Sequence, residues 1–423
     1  MTVIYDILYA VFYLLYMPIL ILKGKWHRGL LHRFGFFPAH VVVKLKNKPN
    51  IWFHAVSVGE VQAVLGLIGR FQDSFVQYQP VVTTVTKTGY QLARTKLPSS
   101  VVVAFAPLDF SRVVKKYVQI INPRIYITAE TEVWPNLFRE LAIKNIPNLL
   151  VNGRISKKSF MRYYRFRNLF KGVFRNFSHC CVQTDSDAQR LMQLGVHAKR
   201  ISVVGNMKFD EQKLSSEKIT IPDAIGQDYK IWIAGSTHPQ EEEIMLRVYK
   251  ELSHEYRKLR LVIAPRHIER TKEIERLIRH QKLDAILYSK NPQTPLKTTD
   301  VLLVDTIGHL RHLYRYASVV FIGKSLKGRG GQNIIEPAFF AKPIIIGPHM
   351  ENFLKIVDIF KNADAILQIS DEIELKNAIS DILRFPAKSE SLGLAAYNIV
   401  LSHQGATTKT LEQIAKILAS KTY

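Results

Sequence analysis

Two Rossmann-like α/β domains in tandem are predicted here by three features: β-branched runs alternating with helical patterns, a polar segment that interrupts them, and a resumption of the alternation beyond it. The first series of runs covers residues 51–56, 81–85, 101–105, 124–129, 148–151, 179–183 and 201–204. Strands of this length spaced by helices assemble as one parallel, doubly wound sheet. Residues 210–227 carry Lys, Ser, Glu, Pro and Asp without an apolar period and read as a linker. The second series, at 230–234, 261–264, 285–288, 301–304, 319–322, 343–346 and 365–369, gives a second sheet of the same kind. The predicted division is a membrane anchor at 1–24, a first domain at 25–209, a linker at 210–228 and a second domain at 229–423. In sheets of this type ligands sit beyond the carboxyl ends of the strands, so the expected site is a cleft between the domains.

Before the first strand, residues 3–22 (VIYDILYAVFYLLYMPILIL) hold one charge, Asp6, over a length sufficient to cross a bilayer core. The expectation is a single spanning anchor, with a helix lying in the membrane interface as the alternative suggested by Asp6 and Pro18. A secretory signal would need a basic leading region and a small-residue cleavage site, and neither is present. Lys23, Lys25, His27, Arg28, His32 and Arg33 follow at once, which places this flank and the rest of the chain on the cytoplasmic side.

The balance of 59 Lys and Arg against 35 Asp and Glu gives a net charge of +24. Such a field attracts nucleic acid, anionic lipid or phosphorylated substrates, and the sign alone does not choose among them. Cys180 and Cys181 are adjacent, which suits neither a disulfide framework nor a zinc site. Neither a P-loop, nor a dinucleotide fingerprint after the first strand, nor H-E-x-x-H, nor G-x-S-x-G occurs. Asp185-Ser186-Asp187 has the spacing of a metal-binding D-x-D, but it follows a strand and opens a helix, where capping explains it as well.

Six strand ends carry candidate chemistry. In the segment 53–61 (FHAVSVGEV), Ser57 and Gly59 permit a tight turn and Glu60 opens the next helix. A carboxylate there complements the helix dipole or acts as a general base, and position alone leaves both open. Glu130 and Glu132 follow the strand at 124–129, beside Trp134 and Pro135, as a cleft wall. In the second half, Gly235-Ser236-Thr237-His238 and Pro265-Arg266-His267 end strands, and the planar fork of Arg266 suits a phosphate. Last, the loop 323–333 (GKSLKGRGGQN) leads into a helix start with Asn333 and Glu336, where free amides favour a phosphate and Glu336 is placed to accept from a ribose hydroxyl. Ile307-Gly308-His309 also follows a strand, and its glycine admits close backbone approach.

Together, Ser57-Val58-Gly59-Glu60, Glu130-Thr131-Glu132-Val133-Trp134-Pro135-Asn136, Asn152-Gly153-Arg154-Ile155-Ser156, Gly205-Asn206-Met207-Lys208-Phe209-Asp210, Pro265-Arg266-His267 and Arg329-Gly330-Gly331 with Asn333 and Glu336-Pro337 resemble the 3-deoxy-D-manno-octulosonic acid (Kdo) transferase family of lipid A biosynthesis. The resemblance spans nearly the whole chain. It implies a GT-B fold, an inverting reaction with neither metal nor cofactor, CMP-Kdo as donor and a lipid A precursor as acceptor. It also implies the cytoplasmic face of the inner membrane, with its anionic surface as a partner and no nucleic acid. By the same resemblance Glu60 is the catalytic base. CMP is held by Pro265 and Arg266, by Ile307, Gly308 and His309, and by Asn333, Ile334, Ile335 and Glu336. Substrate contacts fall to Ser57, Gly59, Glu130, Glu132, Arg154, Lys208 and Ser236. The chain departs from the family pattern at His309, where a carboxylate is common, and at Gln332, where a histidine is common. Two other readings stay open: a transferase of the same fold using a UDP-sugar, and a non-enzymatic basic binder, which leaves these motifs without a task.

Overall fold

The computed structural model describes residues 2–22, 30–210, 229–290 and 296–420. Most of the expected linker, at 211–228, and the basic flank from Lys23 to Arg28 lie outside the described residues.

The first unit is built on seven parallel strands: β1 (Asn50–His54), β2 (Gln79–Thr84), β3 (Val102–Phe105), β4 (Pro123–Ala129), β5 (Asn148–Gly153), β6 (His179–Val182) and β7 (Ile201–Val203). Their order is β3-β2-β1-β4-β5-β6-β7, so the direction of winding reverses between β1 and β4. Ligands of such sheets gather at that reversal. All five residues of β1 are buried, because helices cover both faces, and this explains the consecutive apolar residues Ile51, Trp52 and Phe53 at its centre. The one indole there, Trp52, donates from Nε1 to Thr83 Oγ1 at 2.7 Å, so its polar edge is satisfied inside the core.

The second unit repeats the plan with β8 (Lys230–Thr237), β9 (Leu259–Pro265), β10 (Asp284–Leu287), β11 (Asp300–Leu303), β12 (Val319–Ile322), β13 (Ile344–Ile346) and β14 (Leu367–Gln368). Here the order is β10-β11-β9-β8-β12-β13-β14, with the reversal between β8 and β12. Each of the fourteen sequence runs therefore corresponds to a strand.

The final helix departs from the expected division. The second domain was expected to run to residue 423, yet the helix Ala406–Ala419 belongs to the first compact unit, which the chain rejoins at His403. Its Ile414 and Leu418 share a core with Val61 and Val64 of the helix Val58–Ser74, so an apolar stripe that would otherwise face water is covered there. Asp210 fixes the return by accepting from the amides of Gly405, at 2.6 Å, and Thr407.

The expected membrane-spanning helix is also corrected. Among the described residues no helix is long and apolar enough to cross a membrane. Thr2–Leu22 is helical, and one of its faces is joined to the first unit. Asp6 accepts from Ser111 N at 3.1 Å and Asn136 Nδ2 at 2.7 Å, while Tyr5 donates to Asp109 Oδ2 at 3.0 Å. Tyr9 packs edge-on against Phe110, with centroids 5.0 Å apart. The charge that hydrocarbon would penalise thus serves as a docking group.

Asp109 at this joint is almost wholly buried, and burial pushes its carboxyl up to about 7 despite donors from Asn136, Leu137 and Tyr5. Its folded value exceeds its unfolded one, so its contribution to stability is full below the unfolded value and declines as pH rises through about 7. Between about pH 4 and pH 8, the thermal midpoint of the native protein is expected to fall relative to that of Asp109→Asn. Parallel pH dependences in calorimetry would contradict this.

Candidate functional site

At the carboxyl edge of the first sheet, Ser57 caps the helix Val58–Ser74 with extended backbone, and its Oγ accepts from Glu60 N at 3.4 Å. Glu60 returns the contact: its Oε1 accepts from Ser57 Oγ at 2.8 Å and its Oε2 from Val56 N at 2.8 Å. This is a variant of the capping box, in which the carboxylate reaches past the cap residue to the amide before it. The side chain is thereby locked, with 8% of the residue exposed. Gly59, expected to share the turn with Ser57, lies inside the helix without a positive φ, and a Cβ there would meet nothing nearer than Ser57 Oγ at 4.0 Å. Ser57 makes the turn.

Three carboxylates share this edge, because β1 and β4 are paired neighbours. Glu130 follows β4 with φ of 52°, a left-handed conformation that disfavours a β-carbon and is typical of constrained site residues. Burial raises the Glu60 carboxyl; the bonds from Val56 and Ser57 oppose this, and the charge of Glu130 adds to it. Burial likewise pushes Glu132 up to about 7, reinforced by Glu60 and Glu130 and opposed by Arg162. The arrangement can hold or accept a proton near neutral pH. Arg162, on the helix Lys157–Arg165, is a member that sequence reasoning missed.

The other candidates of this unit have backbone anchors. The Arg154 carbonyl accepts from Thr131 Oγ1 at 2.5 Å, which ties the loop after β5 to the one after β4. Lys208 lies in the short turn Met207–Phe209, whose first amide donates to Asn152 Oδ1 at 3.1 Å. Asp187 is fully buried and accepts from Ile155 N at 3.0 Å and Thr184 Oγ1 at 2.5 Å, so the D-x-D resemblance resolves into a cap and a loop brace. Among the described residues no group of three or more potential metal ligands converges.

In the second unit the candidates gather at the carboxyl ends of β8, β9, β11 and β12. Ser236 sits at the irregularity in β8 with φ of 57°. Pro265 ends β9, and Arg266 follows it exposed, its amide donating to Thr237 O at 3.0 Å. After β11, Ile307 is 79% exposed, Gly308 has φ of 94° with open space around it, and the ring of His309 lies 5.1 Å from that of Tyr288. Asn333 donates to Glu336 Oε1 at 3.1 Å and accepts from Ile335 N at 3.1 Å. Burial raises the Glu336 carboxyl, while Asn333, Arg311 and Arg266 lower it, which brings Arg266, Asn333 and Glu336 within one electrostatic group. Ile334 and Ile335 are buried, so their backbone is what a ligand could use.

The glycine-rich loop is more committed than its sequence implies. The amides of Lys324, Ser325, Leu326 and Lys327 all donate to Glu241, and Gly330 N donates to Glu351 Oε2 at 2.6 Å. With Gly331 N donating to Lys324 O at 3.0 Å, six amides of the loop are already taken, and those beyond Gly331 lie at the helix start. Glu241 went unrecognised in the sequence because the loop amides it accepts from lie more than eighty residues away.

Comparison with known proteins follows the same lines. The chain is 12% identical to the solved putative UDP-N-acetylglucosamine 2-epimerase from Listeria monocytogenes, with a TM-score of 0.59 over 88% of this chain and 98% of that one. That likeness concerns the fold alone, and with the two parallel seven-stranded sheets it defines the GT-B class. Residues 28–211 match the family described as 3-Deoxy-D-manno-octulosonic-acid transferase (kdotransferase). The 3-deoxy-D-manno-octulosonic acid transferase of Haemophilus influenzae is 30% identical over 93% of this chain and 92% of its own. The transferase of that name from Chlamydophila psittaci is 31% identical over 83% and 82%. The chain belongs to the Kdo transferase family and is a glycosyltransferase.

Proposed function

We propose that the protein transfers Kdo from CMP-Kdo to a hydroxyl of a lipid A precursor, with inversion and with Glu60 as the base. The observation that carries this is the locked, nearly buried Glu60 at the winding reversal of the first sheet, flanked by Glu130 and Glu132. In the proposed step the ionised Glu60 takes the proton of the acceptor hydroxyl as its oxygen bonds to the anomeric carbon. The bond from that carbon to the phosphate oxygen breaks, and CMP leaves with the electron pair from the opposite face. Arg266 and the amides beyond Gly331 are suited to the charge that grows on the leaving phosphate. No cofactor is required, and no metal enters this scheme. Glu336 is placed to accept from a ribose hydroxyl, with Asn333 Nδ2 donating to its Oε1, Ser236 lies beside Arg266's strand, and Arg154 and Lys208 are candidates for the sugar carboxylate or acceptor phosphates.

Membrane association of the described chain is proposed through surfaces rather than a span. The N-terminal helix exposes Val3, Ile4, Ile7, Leu8, Val11, Leu14 and Leu15, a single stripe at helical spacing, on residues not used for docking. The helices Lys157–Arg165 and Arg167–Arg175 carry seven basic residues and no acid, with Met161, Tyr164 and Phe166 exposed among them. Each cation near an anionic leaflet contributes about 1 kcal/mol. This supports the cytoplasmic face of a bilayer as the working place.

The donor is tested by offering CMP-Kdo and UDP-sugars separately with the lipid acceptor and measuring the nucleotide released. CMP release dependent on acceptor is expected. UDP release in its place would move the assignment to another transferase of the same fold.

A further inference from the structure

Glu241, the first residue of the helix Glu241–Glu255, is fully buried. Its Oε1 accepts from Ser325 N and Leu326 N, both at 3.0 Å, and from Lys327 N at 3.4 Å. Its Oε2 accepts from Lys324 N at 2.7 Å and from His238 N at 3.0 Å. Four consecutive amides of the loop after β12 thus converge on one carboxylate from the loop after β8, in the way such nests converge on an anion. Behind this contact Gly323 lies so close to the β8 end that a Cβ would stand 2.3 Å from Ser236 O. The opposite side is braced by Ser325, whose Oγ accepts from Gly347 N at 2.8 Å.

From this geometry we infer that Glu241 is a positioning residue of the donor site. It fills the amide nest with a resident charge, so that the loop is held ready before ligand arrives and the ends of β8, β9 and β12 keep one register. Donor binding then does not have to order the loop, which lowers the cost of association. The inference rests on reading this loop as part of the nucleotide site.

The test uses full-length Glu241→Gln, in which an amide NH2 replaces one acceptor and faces backbone donors. Hydrogen bonds to a charged group are strong enough that CMP affinity and donor KM should each weaken by about tenfold or more, with acceptor KM unchanged. Amides 324–327 should exchange with deuterium faster than in the native protein. Should Glu241→Gln fail to fold, Glu241→Asp, which keeps the charge but shortens its reach, is expected to show the same pattern to a smaller degree. A folded variant with CMP affinity and donor KM within about twofold of native, or with unchanged exchange at 324–327, would overturn the role of Glu241. Native protein that binds no CMP would instead overturn the donor-site reading itself.

Discussion

Glu60→Gln should lose Kdo transfer by at least about 100-fold while binding CMP as the native protein does. The substitution is nearly isosteric, and a Gln oxygen can still accept from Val56 N, so the helix cap and the fold should survive. What disappears is the capacity to take a proton. In the native enzyme, burial and the neighbouring Glu130 raise the Glu60 carboxyl, so the ionised form that acts as base is lost as pH falls through that raised value. Activity should accordingly decline on the acid side, and the limb should move to lower pH in Glu130→Gln, where one like charge is gone. Rates in single turnover, with CMP affinity measured alongside, separate the loss of a base from the loss of a fold. Near-native turnover in Glu60→Gln would remove Glu60 from the chemistry.

Gly323→Ala should be among the most damaging single methyls in the second unit. A Cβ at this position would lie 2.3 Å from Ser236 O and 2.6 Å from both Ser236 C and Thr237 Cα, all of them backbone atoms. Backbone cannot rotate away as a side-chain tip can, so β8 and β12 would have to separate locally. The expected loss of stability is at least about 3 kcal/mol, at the upper end for overpacking. Whatever protein remains folded should bind CMP poorly, because the displaced loop carries the amides beyond Gly331. Gly69→Ala is the matched control, since a Cβ there meets nothing within 4 Å. Denaturant unfolding of the two variants checks the contrast, and equal stabilities would contradict it.

Much of this was legible in the residues. All fourteen strands fall on runs read in the sequence, and the central ones are apolar at successive positions because their sheets are covered on both faces. Glu60, Glu130 and Glu132 could be singled out by their place after strands β1 and β4, where the topology puts functional groups. The misreadings share a cause: sequence shows what a residue is but not what covers it. The stretch from Val3 to Leu22 reads in sequence as an apolar span, yet no described helix is long and apolar enough to cross a membrane, and the partners of Asp6, at Ser111 and Asn136, reveal a docked helix. Gly59 was expected to share the turn with Ser57, whereas it lies inside the helix that Ser57 caps. The last helix followed the second sheet in sequence but buries Ile414 and Leu418 against Val61 and Val64. Glu241 looked like one more acidic residue at a helix start, since nothing local announces a bond to Lys324.

Incubation of the purified protein with CMP-Kdo and a tetraacylated lipid A precursor, followed by mass analysis of the lipid, tests the central claim most directly. The expected result is acceptor heavier by one or more Kdo residues, with an equal amount of CMP released and neither product formed by Glu60→Gln. Unmodified lipid in the presence of native, CMP-binding protein would contradict it.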